Sequence, residues 1–174
     1  LELAADDVDF VICSYNEITV KSRPNPFQNN VFDGPQDIYN RFRDFDRTIW
    51  WPCAKLYKTS IINENHLTYD TSITFGEDHI FNLLYSKYIT GKVVVSEKMT
   101  YNYHHIRGGL TAKFYPDMDE MQKYVYTKIA DYFGGADKIP KKYEHLYIGS
   151  YYRGLVEYYI CLLYTSDAAD DLIG

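Results

Sequence analysis

The sequence contains no glycine-rich loop of the kind that cradles phosphates, and no complete strand–loop–helix unit for a nucleotide. A self-contained nucleotide-binding domain is therefore excluded. Positive charge is also scarce: 18 Lys and Arg stand against 24 Asp and Glu, for a net charge of −6 and a pI near 5.3. No basic stripe is present, which argues against a nucleic-acid partner, because backbone binding needs clustered cations. Cysteine is sparse and unpaired in its spacing, with Cys13, Cys53 and Cys161 forming neither a disulfide framework nor a zinc pattern. A reducing, cytoplasmic setting follows as the expectation. No run of about 18 apolar residues offers a membrane span, and the first residues show neither an initiator Met nor a signal segment. The chain reads as opening inside a domain.

What the sequence does have is apolar content of 46% over 174 residues, enough for one ordinary core, and 19 tyrosines. Tyrosine joins apolar area to a hydroxyl, which suits sugar-binding and partner surfaces alike.

Val8 to Tyr15 reads as a buried strand, preceded over Leu1 to Asp7 by what resembles a helix tail. The Pro24, Pro26, Asn29, Asn30 and Gly34 cluster makes Lys21 to Gly34 a loop, and a helix is expected from Pro35 to Arg43. Ser60 to Glu64 reads as a short helix and Leu67 to Ile73 as irregular chain. Ile80, Leu83, Leu84 and Tyr88 give an apolar helical stripe that Gly91 ends. Val93 to Val95 and Met99 to His104 read as two extended pieces, and Met118 to Phe133 and Lys141 to about Ile160 as helices. Together these predict an α/β fold.

Chemistry concentrates in Phe75-Gly76-Glu77-Asp78, where two carboxylates stand at the mouth of the patterned helix. A sugar hydroxyl has a pKa far above 7, so an inverting glycosyl transfer needs a carboxylate base against the acceptor. The plainer role is a helix cap, Asp78 accepting main-chain N–H bonds. A second cluster, Tyr103, His104, His105 and Arg107 before Gly108-Gly109, could grip a diphosphate or could be a polar strand end and turn. Trp51 and Lys55 offer an aromatic wall and a cation, or else one core ring and one surface amine. Asp44-Phe45-Asp46 has metal-binding spacing, but Arg41, Arg43 and Arg47 around it favour a solvated, ion-paired helix end.

The order and spacing of three features resemble the acceptor-side half of family 2 glycosyltransferases with a GT-A fold, of the bacterial polysaccharide-synthesis type. They are Val8 to Tyr15, the Lys55-Leu56-Tyr57-Lys58 run, and Phe75 to Asp78 followed by Phe81-Asn82-Leu83 and the segment Tyr101 to Thr111. The resemblance implies a C-terminal half of a Rossmann-like GT-A domain, a mixed sheet with flanking helices, and a nucleotide-binding half not included. It implies Asp78 as the base, Glu77 beside it, and Trp51, Lys55, Tyr103, His104, His105 and Arg107 as substrate-binding residues. It further implies a nucleotide-sugar donor, a glycan acceptor, and Mg²⁺ or Mn²⁺ held mainly by residues outside this chain. Cys53 and Ala54 stand where the family usually has Trp or Asn, and Gly109 where Ser is common.

The expected organisation is a partial glycosyltransferase domain over 1–115 and a helical extension over 116–160. The tail 161–174 reads like a translated sequencing adapter rather than native protein. Re-sequencing the parent gene through Cys161 checks that reading. The chain on its own is expected to be inactive, with a cytoplasmic location, possible attachment at the inner membrane face through 143–159, and no oligomeric state implied. The rival expectation is a non-catalytic glycan-binding or scaffolding module.

Overall fold

The computed structural model describes residues 5–18, 22–25, 29–34, 51–104, 115–141, 143–145, 148, 149, 152, 155, 156 and 160. The expected helix at 35–43, Asp44-Phe45-Asp46, His105, Arg107 and the tail 161–174 lie outside them.

The architecture is mixed α/β, as the element pattern implied. Its axis is a parallel pair, β1 (Val8–Ile18) and β5 (Lys92–His104), with Phe10 opposite Val93 and Ile12 opposite Val95. On the far side of β1 lie two short antiparallel strands, β4 (Lys55–Tyr57) against Phe10 to Ile12 and β2 (Ser22–Asn25) against Tyr15 to Ile18. β3 (Asn30–Asp33) pairs antiparallel with the outer edge of β5. β1 is buried continuously from Asp9 to Ser14, as expected of a strand covered on both faces.

Two strands thus occupy the stretch that composition makes a loop. Both are four residues long, and a Pro is tolerated in β2 because its position is at a sheet edge. Phe32, only 5% exposed, ties β3 to the core.

β5 is one strand, not two pieces. Between Cys13↔Ser96 and Ser14↔Met99 the register skips Glu97 and Lys98, a bulge that breaks the alternation a sequence reader relies on. Side chains satisfy its main-chain groups: Glu97 N–H donates to Asn29 Oδ1 (2.9 Å), Lys98 N–H to Ser96 Oγ (3.2 Å), and Ser14 Oγ to the Ser96 carbonyl (3.0 Å).

The helices are α1 (Thr59–Glu64), α2 (Glu77–Ser86) and α3 (Met118–Phe133), followed by a 3₁₀ turn (Ala136–Lys138). The described residues of 141–160 are all helical, as expected of that stretch. α2 stops at Ser86 rather than at Gly91, and Tyr85 rather than Tyr88 is its buried tyrosine. Gly91 serves a different purpose: a Cβ there would lie 2.5 Å from the Asp7 carbonyl oxygen. That closeness lets the Gly91 and Thr90 N–H groups reach the buried Asp9 carboxylate at 2.6 and 2.9 Å, where Lys58 Nζ also donates at 2.9 Å. Ala5 to Asp7 form a coil and turn, and residues 1–4 of the expected helix tail lie outside the described residues. α3 packs Met121, Val125 and Ile129 into the core, and Tyr143 closes it against Phe133 with ring centroids 5.4 Å apart.

Candidate active site

Asp78 stands at the second position of α2, and the helix N-cap is Gly76, with φ of 85° and no side chain to cap with. Among the described residues, the Asp78 carboxylate accepts no hydrogen bond. It is therefore no capping group, although an acidic residue in a first turn still gains from the helix dipole. Burial, joined by the negative charge of Glu77 and opposed by the positive charge of Lys55, pushes its pKa up to about 6.

Lys55 opens β4 and is partly buried. Its Nζ donates to the main-chain carbonyls of Trp51 and, at 3.4 Å, Cys53, closing the turn ahead of the strand. Desolvation lowers its pKa to about 7, with Cys53 and Asp78 pulling the other way. The amine is thus bonded into its own loop, and its field acts on Asp78.

The Trp51 carbonyl also accepts from Asn82 Nδ2 at 3.3 Å, and Asn82 Oδ1 takes the Tyr57 hydroxyl proton at 2.6 Å. Asn82 lies four residues beyond Asp78, hence on the same helix face. One buried amide therefore fixes the distance between the aromatic loop and the carboxylate helix. Burial first, then the charges of Tyr69 and Asp78, raises the Tyr57 hydroxyl well above the usual tyrosine range, so it stays a donor.

The Trp51 ring stacks on Tyr103 (5.4 Å, 19°) and meets Tyr15 edge-on (5.9 Å, 61°). Tyr103 and Tyr101 lie beyond the β5 bulge, opposite Glu17 and Tyr15. The Tyr101 hydroxyl is raised above its usual range chiefly by the charge of the neighbouring Cys53. Tyr69 stacks on Phe81 (4.4 Å, 13°), and its hydroxyl is raised by burial and then by Asp78.

Trp51, Lys55, Tyr103, Glu77 and Asp78 thus converge. His104 is set apart, exposed at the last position of β5 opposite Ile18. Tyr57, Tyr69, Asn82, Cys53 and Tyr101 belong to the cluster but were not among the expected residues. Cys53 and Tyr57 stood in the run after Trp51, Tyr101 opened the segment before Thr111, and Asn82 lay four residues beyond Asp78; Tyr69 carried no signal. The cluster sits toward the carboxyl ends of the parallel strands, where open α/β sheets place ligands. Among the described residues no three His, Cys, Asp or Glu side chains come together as a set of metal ligands.

No protein-family model matches the sequence. No curated protein matches it either. Among solved structures, residues 1–349 of S. aureus TarS in complex with UDP-GlcNAc superpose with a TM-score of 0.48 and 15% identity, covering 70% of this chain and 34% of that one. This chain therefore spans about a third of that structure. A likeness of that size transfers no residue roles.

Proposed function

We propose that this chain carries the acceptor side of an inverting glycosyltransferase that moves a sugar from a nucleotide-activated donor to a glycan in cell-surface polysaccharide synthesis. The observation that carries the reading is the free, half-buried Asp78 carboxylate, unbonded among the described residues and with a proton affinity close to neutrality. A base tuned near the working pH is what proton removal from a hydroxyl requires.

In this mechanism an acceptor hydroxyl lies against Asp78. Its proton passes to the carboxylate as its oxygen bonds to the anomeric carbon, while the bond from that carbon to the nucleoside diphosphate breaks. The Glu77 and Lys55 charges set Asp78's readiness to accept the proton. The Trp51–Tyr103 stack supplies a flat apolar wall for a sugar ring. The donor, its metal and His105 and Arg107 belong to the part of the proposal that rests on the sequence resemblance alone.

Asp78→Asn in the full-length parent protein tests it. We expect sugar transfer to fall by about 10²–10⁴-fold, with the fold intact. Unchanged transfer would remove the proposal. The same aromatic wall also suits a non-catalytic glycan-binding module, in which Asp78→Asn leaves every measured property of glycan binding and of any transfer unaltered.

Among the described residues no helix is long and apolar enough to cross a membrane. Tyr152, Val156 and Ile160, exposed and four residues apart, support attachment at the inner face of the membrane instead. Co-sedimentation with anionic vesicles checks this, and protein left wholly in the supernatant rejects it.

A further inference from the structure

On the other side of α2 from Asp78 lies an open cleft of about 560 Å³, within the roughly 300–1,000 Å³ typical of ligand sites. Its floor is apolar, made by Ile80, Leu83 and Leu84 of α2, and its walls are the rings of Tyr69 and Tyr132. The rim carries charge of both signs in equal number, Lys87 and Lys128 against Asp70 and Asp131. Thr68 and Thr71 add hydroxyls.

Three observations narrow what fits. First, Asp70 is already engaged, accepting from Ser72 N–H (3.0 Å), Ser72 Oγ (2.5 Å) and the Tyr124 hydroxyl (2.7 Å), so it shapes the wall more than it attracts a cation. Second, among the described residues neither lysine forms an ion pair. Lys87 lies over the Tyr132 ring at 5.4 Å and Lys128 over the Tyr124 ring at 5.0 Å, so each amine rests on a separate ring and the two do not build a concentrated positive field. Third, Tyr69 joins the cleft to the candidate site: it lines the cleft and stacks on Phe81, three residues beyond Asp78 on the same helix.

Flat aromatic walls, scattered donors and acceptors and no net charge are complementary to a neutral polyhydroxylated chain, whose ring faces are apolar and whose edges bear hydroxyls. We propose that this cleft is a distal subsite holding the uncharged oligosaccharide portion of the acceptor, with Tyr69 guiding the chain around α2 toward Asp78. The proposal rests on the glycosyltransferase reading, and it concerns binding rather than chemistry. Thr71, exposed in a turn on the rim, controls entry without belonging to the base machinery.

The test is a titration of the full chain, followed by amide NMR, with maltotetraose, cellotetraose and chitotetraose and with glucose and N-acetylglucosamine. At least one tetrasaccharide should shift the amides of Thr68 to Thr71, Lys87 and Asp131, and its monosaccharide should bind at least tenfold more weakly. Thr71→Trp, which fills the cleft, should weaken the tetrasaccharide at least tenfold, as should Asp131→Arg at the opposite rim, whereas Asp78→Asn should leave it within twofold. Absence of any shift at millimolar sugar, a preference for sulfated or phosphorylated oligosaccharides alone, or full affinity in both cleft variants overturns the subsite. Transfer by the full-length parent separates the two ideas. Loss of transfer with Asp78→Asn but no change with Thr71→Trp retires the subsite and keeps the function. Tetrasaccharide binding in the cleft alongside transfer indifferent to Asp78→Asn retires the function and keeps the subsite.

Discussion

A Cβ placed on Gly76 would lie 2.5 Å from Val125 Cγ2, so the residue that starts the carboxylate helix is pressed directly against α3. The same glycine has a φ of 85°, a left-handed conformation. Position 76 is therefore closed to side chains on two independent grounds, and the place of Asp78 is set by packing between two helices.

Gly76→Ala combines left-handed strain with overpacking, and should cost about 2–4 kcal/mol. Chemical denaturation measures it. A cost near zero would show that α2 and α3 can separate freely at this point.

Asp78→Asn should stabilise the chain at pH 8. Raising a carboxyl from 3.8 to about 6 corresponds to about 3 kcal/mol at full strength. The group is half exposed, so about half of this survives solvent screening, and the lost helix-dipole attraction takes back up to about 1 kcal/mol. A net gain of about 0.5–1.5 kcal/mol remains. Because the native carboxyl binds its proton more tightly than the unfolded one, the penalty grows as pH rises from 3.8 through about 6. The gain in melting temperature should accordingly shrink toward pH 4. A variant that melts lower than the parent at pH 8 would mean that Asp78 caps the helix after all.

Among the described residues Lys55 brings the attractive charge that acts on Asp78, so in Lys55→Met the carboxyl should titrate above about 6. Carbon-detected NMR of the Asp78 side chain reads the midpoint directly. An unmoved midpoint would show that the Lys55 ammonium is screened from the carboxylate.

Acid should unfold the chain through groups other than Asp78. His79 is buried, bonded to the Tyr143 hydroxyl, and held neutral by burial, which lowers its pKa to about 3. The unfolded state binds the proton first, so stability falls as pH drops from 6.5 toward 3. Asp9 adds a second loss lower down. Burial opposes its ionisation, but the Gly91 N–H, Lys58 and the Thr90 N–H outweigh it and hold the pKa below 3.8. Its stabilisation is complete above 3.8 and disappears as pH falls through the native value. Melting curves of the parent and His79→Gln check the first limb, which should be flatter in the variant.

The long periodic elements were legible in the residues. The strand from Val8, the helix Met118–Phe133 and the irregular run before Phe75 all follow from spacing of apolar side chains. β2 and β3 were not, because four-residue edge strands gain their structure from a neighbouring strand, β1 for β2 and the distant β5 for β3, and local Pro and Asn say the opposite. The end of α2 was misplaced for a related reason. Gly91 looks like a stop signal, yet its smallness answers to the approach of the Asp7 backbone, which no local pattern encodes. At the site, the carboxylate pair and the Trp51–Lys55 run were visible as residue types. That Asn82 couples Trp51 to Tyr57 depends on contacts between segments 31 and 25 residues apart, and that Lys55 turns back onto the carbonyls of Trp51 and Cys53 depends on how the backbone ahead of β4 bends, which residue types do not encode.

From Ser96 to Tyr101 strand β5 advances five residues while β1 advances two, from Cys13 to Tyr15. The surplus is odd, so the tyrosines beyond it share the side of Tyr15, while Val93 and Val95 share the opposite side with Phe10 and Ile12. The extra residues work as a rotary coupling between an anchored shaft and a steerable blade. Trimming one of them should swing Tyr101 and Tyr103 away from Trp51 without unseating the valines, and so re-aim the aromatic wall by a change in chain length alone.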